Sequence, residues 1–409
     1  MRREDAGLGH CADAGLTWHQ SCSCFSTQRK SEARVTSGST QKGGAAVQRY
    51  YVLDGFRGIA ALIVVLYHYI GPENYPFLTN SYIALDMFFV LSGFVIYHSY
   101  ANRLRRGMSA GTYINQRFAR LAPTVAIGVL FGAVATLAYY NSIGREVDST
   151  RFALVHAGNL LFIPGLVDYN VPATGIFELF PSNGPLWSIF FEFVASVCFI
   201  WFVRLRRRSM LIGSLACFLI LFIGACYLTL TTGRLLTPGV GFAPQHFLLG
   251  FPRVFASFLA GMLIYALTQE APKYLTRRLP ASRSLTAAFG IYGVMLAMLF
   301  FPFHMSGFYP FLGVAVLCPL LITVGARIQP QARWFNWVSD YLGQVSFPLY
   351  CIHVPVFLLV RTYLADAPWK IQVLLSLGVA FGASVLILAL IESMRVRQNV
   401  TRLLKPVLG

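Results

Sequence analysis

The chain has 409 residues, of which 56% are hydrophobic and only 12% are charged, and its formal net charge is +17. Soluble domains carry about 25% charged residues, so this composition excludes an ordinary soluble domain and indicates a membrane protein. The basic residues fall in short clusters between apolar runs, as expected for contact with anionic lipid and for orientation signals. We therefore expect no nucleic-acid partner.

Residues 1–49 are rich in Ser, Thr, Gly and Gln and contain no apolar run of signal-peptide length. We predict a disordered cytoplasmic tail, because this composition cannot bury a core. Cys11, Cys22 and Cys24 of the tail follow no strong zinc-binding spacing, and we expect no metal site. The first membrane span would then act as the targeting signal.

Apolar runs of about 20 residues, each long enough to cross a bilayer, recur from Tyr50 to Glu392. They are continuous rather than alternating, which predicts helices. The stretch at 152–166 is shorter and is predicted to be re-entrant or interfacial. The fold class is thus an all-α polytopic membrane domain over residues 50–393, with about ten spans at 50–70, 82–101, 122–141, 185–204, 209–231, 245–268, 284–302, 307–325, 341–363 and 370–393.

The distribution of Lys and Arg predicts the orientation of these spans. With the N-terminus inside, 26 of the 33 basic residues lie in the N-terminal tail, the inner loops and a short C-terminal tail at 394–409, and five lie in outer loops. The positive-inside rule therefore places both termini in the cytoplasm.

Ionisable side chains inside the spans are costly and therefore indicate a functional site. Arg57 and His68 of the first span are eleven residues apart, which puts them on one helix face with about 16 Å between them along the axis. Asp54 lies one turn below Arg57. The alternative for Asp54 and Arg57 is a pair that snorkels to the inner boundary.

Asp86 of the second span is predicted at the depth of His68. A carboxylate facing the imidazole would fix its tautomer and raise its basicity. Ser92 and Gly93, further along the same span, are expected to serve close helix packing instead.

Three later spans also carry polar residues. Ser188 and Glu192 share one face of the fourth span and are predicted in its outer half. Arg253 lies in the sixth span. His353 lies in the ninth span between two prolines, which free backbone carbonyls that only protein or water can satisfy.

Arg117 and Arg120 lie three residues apart in NQRFARLAP, at the start of the third span. Ordinary positive-inside charge accounts for two such arginines. Two arginines on one helix face are also a suitable clamp for phosphate groups.

Five segments together resemble the acyltransferase-3 family, integral-membrane enzymes that O-acylate carbohydrates such as bacterial surface polysaccharides. The segments are LDGFRGIAALIVVLYH, LDMFFVLSGFVI, RFARLAP, GPLWSIFFEF and VSFPLYCIHVPV, and they follow the family's order across residues 50–393. The residues of the family's motifs correspond in this chain to Arg57, His68, Arg117, Arg120, Trp187 and Glu192. Many relatives have two adjacent acidic residues where this chain has only Glu192.

The resemblance implies transfer of an acyl group, expected to be acetyl, from cytosolic acyl-coenzyme A to a sugar hydroxyl of an envelope or exported carbohydrate, at a bacterial inner membrane. Acyl-coenzyme A would be a co-substrate, and no bound cofactor is expected. The donor phosphates would bind Arg57, Arg117 and Arg120. The catalytic candidates, with His68 as general base or acyl carrier, are His68, Asp86, Glu192 and His353. Further pocket candidates are Asp54, Trp187, Ser188 and Arg253.

Two other classes are alternatives. A multi-pass transporter would also bury Arg, Asp, Glu and His along its pathway, although the sequence shows no internal repeat and no paired broken helices. A non-catalytic membrane sensor would tolerate replacement of Arg57 and His68. Slow hydrolysis of a donor thioester by the purified protein would distinguish an acyltransferase from a transporter.

Overall fold

The computed structural model describes residues 48–71, 74–165, 179–181, 183–233, 235–269, 281–300 and 307–408, without the side chains of 281–282 and 395–408. The predicted tail at 1–49 therefore lies outside the described residues, apart from its last two positions. The helices described below belong to the unit that begins at Tyr50.

Helices are the only regular secondary structure among the described residues, which confirms the all-α prediction. Short 3-10 helices lie at Pro76–Leu78, Ser81–Ile83 and Pro244–Leu249. We number the longer helices in chain order as α1 (Tyr51–Ile70), α2 (Ala84–Arg105), α3 (Ala110–Ser142), α4 (Ser149–Leu160), α5 (Leu186–Phe202), α6 (Arg207–Thr232), α7 (Gly250–Thr268), α8 (Ala281–Phe300), α9 (Phe308–Gly325), α10 (Arg333–Tyr363) and α11 (Trp369–Leu408).

Within the described residues, nine helices are long and apolar enough to cross a membrane, and α5 is a shorter apolar helix of 17 residues. They overlap the ten predicted spans, so the prediction of a polytopic membrane protein is confirmed. The stretch at 152–166, predicted to be re-entrant or interfacial, begins within α4. This helix has 12 residues, which are too few to span a bilayer. Residues 394–408, predicted as a tail, continue the last helix.

Two helix pairs bring the polar residues of the spans together. α10 packs most extensively against α1, and α2 packs against α7. The second pair is close because of two glycines: a side chain at Gly93 would collide with the backbone of Phe258, and one at Gly261 with the backbone of Val90. Gly93 therefore serves close helix packing, as predicted.

The periphery is formed by α6 and α11, which bury only 11% and 22% of their apolar stretches. Their exposed leucine and isoleucine side chains suit contact with lipid, which is as apolar as they are. The helices α1, α2, α3, α5, α7 and α10 carry the candidate site residues and surround the site.

Candidate active site

The packing of α1 against α10 brings two histidines into contact. Nε2 of His353 lies 3.4 Å from Nδ1 of His68, and the ring centroids are 5.0 Å apart. His353 is fully buried, whereas His68 is half-buried. The hydroxyl of Tyr69 donates to the carbonyl of His353 at 2.8 Å, which ties the two helices together beside the pair.

Backbone carbonyls decide the tautomers of both rings. Nδ1 of His68 lies 2.8 Å from the carbonyl of Val64, and Nδ1 of His353 lies 2.9 Å from that of Tyr350. A carbonyl only accepts, so each Nδ1 must carry the proton and each neutral ring keeps its lone pair on Nε2. Nε2 of His353 can therefore accept from Nδ1–H of His68, and Nε2 of His68 is the basic nitrogen of the pair.

Asp86 faces Arg253 and not His68. Nε of Arg253 donates to Oδ1 at 3.0 Å and its Nη2 donates to Oδ2 at 2.7 Å, while Nη1 donates to the carbonyl of Val240 at 3.0 Å. The prediction that Asp86 faces the imidazole is wrong. The reason is that a fully buried arginine requires a paired carboxylate, and α7 places Arg253 against α2.

The three arginines predicted to bind the donor lie together. Arg120 is within electrostatic range of Arg57, Arg117 and Glu192. Arg117 is almost fully buried, and its Nε has no hydrogen-bond partner within the described residues. This arginine cluster lies around Arg57, eleven residues along α1 from His68, so the two groups occupy opposite ends of one helix face.

The carboxylate of Glu192 contacts the arginine cluster. Its Oε1 lies 3.7 Å from Nη2 of Arg117 and accepts a hydrogen bond from the hydroxyl of Ser92 at 2.8 Å. Glu192 was predicted as a catalytic candidate in the outer half of its span, and its carboxylate contacts Arg117 and Ser92. Ser92 was expected to serve close helix packing, and its hydroxyl also donates to this carboxylate.

Ser188 lies one turn from Glu192 on α5 and faces the histidine end. Its Oγ lies 2.6 Å from the hydroxyl of Tyr350, which also donates to the carbonyl of Pro185 at 3.2 Å. Tyr350 precedes His353 by one turn of α10. Ser188 and Glu192 thus contact the histidine-bearing helix and the arginine cluster, respectively, from one helix.

The remaining pocket candidates join the surrounding helices. Trp187 stacks under the guanidinium of Arg253, with 5.5 Å from the carbon of that group to the ring centroid. Asp54 packs against Gly343 of α10 and lies close to Tyr292 of α8.

Sequence reasoning missed Asn183, which lies in the segment before α5. Its Nδ2 donates to the carbonyl of Cys351 at 2.6 Å and to that of Gly128 at 3.1 Å. One signal was available, because Pro355 frees the carbonyl of residue 351 and so demands a donor. The sequence could not say which residue supplies it.

Comparison with known proteins gives one family and two relatives. The acyltransferase-3 family model, described as an acyltransferase domain, matches residues 50–392. "Protein 2 in picA locus" of Rhizobium radiobacter is 30% identical over 175 residues, which are 40% of this chain and 87% of that protein. Peptidoglycan O-acetyltransferase OatA of Listeria monocytogenes is 27% identical over 152 residues, which are 35% of this chain and 23% of OatA. No solved structure matches the chain.

Proposed function

The chain belongs to the acyltransferase-3 family, and on this premise we propose that it transfers an acyl group, acetyl in the simplest case, from cytosolic acyl-coenzyme A to a sugar hydroxyl of an envelope or exported carbohydrate. The observation that carries the proposal is the separation of two groups along α1: the arginine cluster at one end and the histidine pair at the other. The plasma membrane, the inner one in a bacterium, is the proposed location.

The arginine cluster would bind the phosphates of the donor. Arg57, Arg117 and Arg120 supply three positive charges against the one carboxylate of Glu192. Guanidinium groups bind phosphate through two parallel hydrogen bonds, and the partnerless Nε of Arg117 is one such donor. The extended arm of the donor would then follow α1 from Arg57 toward His68.

The histidine pair would activate the acceptor. Nε2 of His68 takes the proton of the sugar hydroxyl while the hydroxyl oxygen attacks the thioester carbonyl carbon. The carbon–sulfur bond then breaks, and the coenzyme A thiolate takes the proton from His68. Nε2 of His353 and the carbonyl of Val64 accept from Nδ1–H of His68, so they orient the ring and stabilise it while it is charged.

A covalent route uses the same atoms. Nε2 of His68 attacks the thioester itself, coenzyme A leaves, and the sugar hydroxyl then takes the acyl group from the imidazole. His353 orients His68 in both routes. The acyl-histidine route predicts an acyl group bound to His68 when donor is added without acceptor, detectable by mass spectrometry of the protein at neutral pH, whereas the general-base route predicts none.

The similarity to a peptidoglycan O-acetyltransferase supports a carbohydrate acceptor over other hydroxyl compounds. The test is mass spectrometry of cell-surface glycans with and without the gene, paired with thiol release from acetyl-coenzyme A by the purified protein. We expect loss of an O-acyl group from one glycan and slow thiol release that requires His68. Unchanged glycans, together with thiol release that persists in His68→Ala, would contradict the proposal.

A further inference from the structure

We propose that Asn183 is a positioning residue for the histidine pair and acts through the backbone carbonyl of Cys351. The inference rests on the proposed function, because it takes His68 and His353 as the reacting pair. Asn183 is 1% exposed and lies in the segment before α5.

A proline creates the need for this residue. In a regular α-helix the carbonyl of residue 351 accepts from the N–H of residue 355. Residue 355 is proline, which has no N–H, so the carbonyl of Cys351 loses its partner within α10. Cys351 is fully buried, where an unpaired carbonyl is costly and no solvent can replace the lost donor.

Asn183 supplies the missing donor. Nδ2 lies 2.6 Å from the carbonyl of Cys351 and 3.1 Å from that of Gly128 on α3. Both neighbours are acceptors, so the nitrogen of the amide must face them, and its two protons serve one carbonyl each. Gly128 makes the approach possible: a Cβ there would lie 2.6 Å from the carbonyl oxygen of Cys351 and 3.0 Å from Nδ2.

The other end of the amide makes no comparable contact. Oδ1 of Asn183 is buried and has no hydrogen-bond partner in the described part of the chain. The residue therefore contributes through Nδ2 alone, as a donor that joins α3 to the interrupted turn of α10.

The interrupted turn is the one that carries His353. Nδ1 of His353 donates to the carbonyls of Tyr350 and Leu349, the residues just before Cys351. The direction of the ring thus follows the backbone that Asn183 holds. Without the amide, α10 is free to bend at the proline, and the 3.4 Å contact from His353 to His68 is lost.

The test uses the proline as a suppressor. Asn183→Ala should lower kcat about ten- to a hundredfold, the usual effect of misplacing a reacting group by about 1 Å, with the KM for acetyl-coenzyme A within twofold. Pro355→Ala restores an N–H to residue 355. In that background Asn183→Ala should change kcat less than threefold. Pro348→Ala is the matched control. It restores an N–H to residue 348, whose helical partner is the carbonyl of Gln344 and not that of Cys351. It should therefore not rescue the kcat of Asn183→Ala.

Asn183→Leu provides a second variant of similar size that removes the donor without adding a charge. It should lose kcat as Asn183→Ala does and be rescued by Pro355→Ala. Rates are expressed per amount of membrane-inserted protein. The proposal is overturned if both substitutions keep kcat within threefold of wild type, or if Pro355→Ala leaves their losses unchanged.

A readout independent of catalysis separates this inference from the proposed function. Alkylation of Cys351 by N-ethylmaleimide, located by mass spectrometry, should be faster in Asn183→Ala and return toward the control rate with Pro355→Ala. If the wild-type protein releases no thiol from any thioester, the proposed function fails and this labelling decides the backbone role of Asn183. Equal labelling in all variants overturns that role.

Discussion

Nε2 of His353 accepts from Nδ1–H of His68 across 3.4 Å, although 285 residues separate them in the chain. A neutral imidazole thus stands where many hydrolases have a carboxylate behind the catalytic histidine. A carboxylate would stabilise a protonated His68 more strongly, but it would also bury a permanent charge at this place. The neutral partner accepts from Nδ1–H of His68 without that cost.

Replacing His68 tests the role of its imidazole. His68→Ala should lower transfer by about 10²–10⁴, the usual effect of losing a general base. The protein should remain inserted and still bind the donor, because the arginine cluster lies at the other end of α1. Radiolabelled acetyl transfer and equilibrium binding of coenzyme A measure the two properties. Transfer that survives in an inserted His68→Ala protein would contradict this role.

Replacing His353 should have a smaller effect than replacing His68, since it removes only the acceptor behind the base. We expect His353→Ala to lower kcat by about ten- to a hundredfold and to leave the donor KM unchanged. Because the two rings act as a unit, the double variant should be no slower than His68→Ala. Steady-state rates of the four proteins test this. Independent, multiplicative losses would show that the rings do not act together.

The arginine cluster predicts a selective loss of donor affinity. Arg117→Ala should cost about 1.5–3 kcal/mol of binding, the contribution of a charge-assisted hydrogen bond, and therefore raise the KM for acetyl-coenzyme A at least tenfold. Arg57→Lys keeps the charge but removes the planar group, and it should also raise this KM. Arg106→Ala is the control, because Arg106 is an exposed arginine at the end of α2. Equal effects of Arg106→Ala and Arg117→Ala on this KM would mean that the arginines of the cluster serve only to orient the protein in the membrane.

Much of the fold could be predicted from the sequence, because a span of about 20 apolar residues is set by the thickness of the bilayer. The shared face of Arg57 and His68 could also be predicted, since both lie on one helix of known period. The contact between His68 and His353 could not, because it depends on which helices become neighbours. The same limit produced the wrong partner for Asp86, which was predicted at the depth of His68 but whose helix packs against α7.

The buried pair of Asp86 and Arg253 predicts a specific pattern of stability. Asp86→Ala or Arg253→Ala alone leaves one uncompensated buried charge and should destabilise the protein by about 3–5 kcal/mol. Replacing both, as Asp86→Leu with Arg253→Met, should be less destabilising than either single change. Thermal unfolding in detergent, followed by tryptophan fluorescence, gives the comparison. A double variant less stable than both single variants would contradict the pairing.

The orientation of the helices is a prediction that cysteine labelling can test. Glu146 lies in the exposed loop between α3 and α4, and Arg206 is exposed just before α6. With the N-terminus inside, Glu146→Cys should react with an impermeant maleimide on intact cells. Arg206→Cys should react only after permeabilisation. The opposite pattern would invert the topology and place the arginine cluster outside.

The pairing of α2 with α7 has a consequence for biogenesis. Asp86 and Arg253 are 167 residues apart, so at about 5–20 residues per second the arginine is synthesised roughly 8–33 s after the aspartate. During this interval α2 carries a carboxylate without its counter-charge, and Gly93 lacks the helix that packs against it. The apolar residues of α2 must therefore hold it in the membrane until α7 is inserted. α7 then supplies both the counter-charge of Asp86 and the packing partner of Gly93.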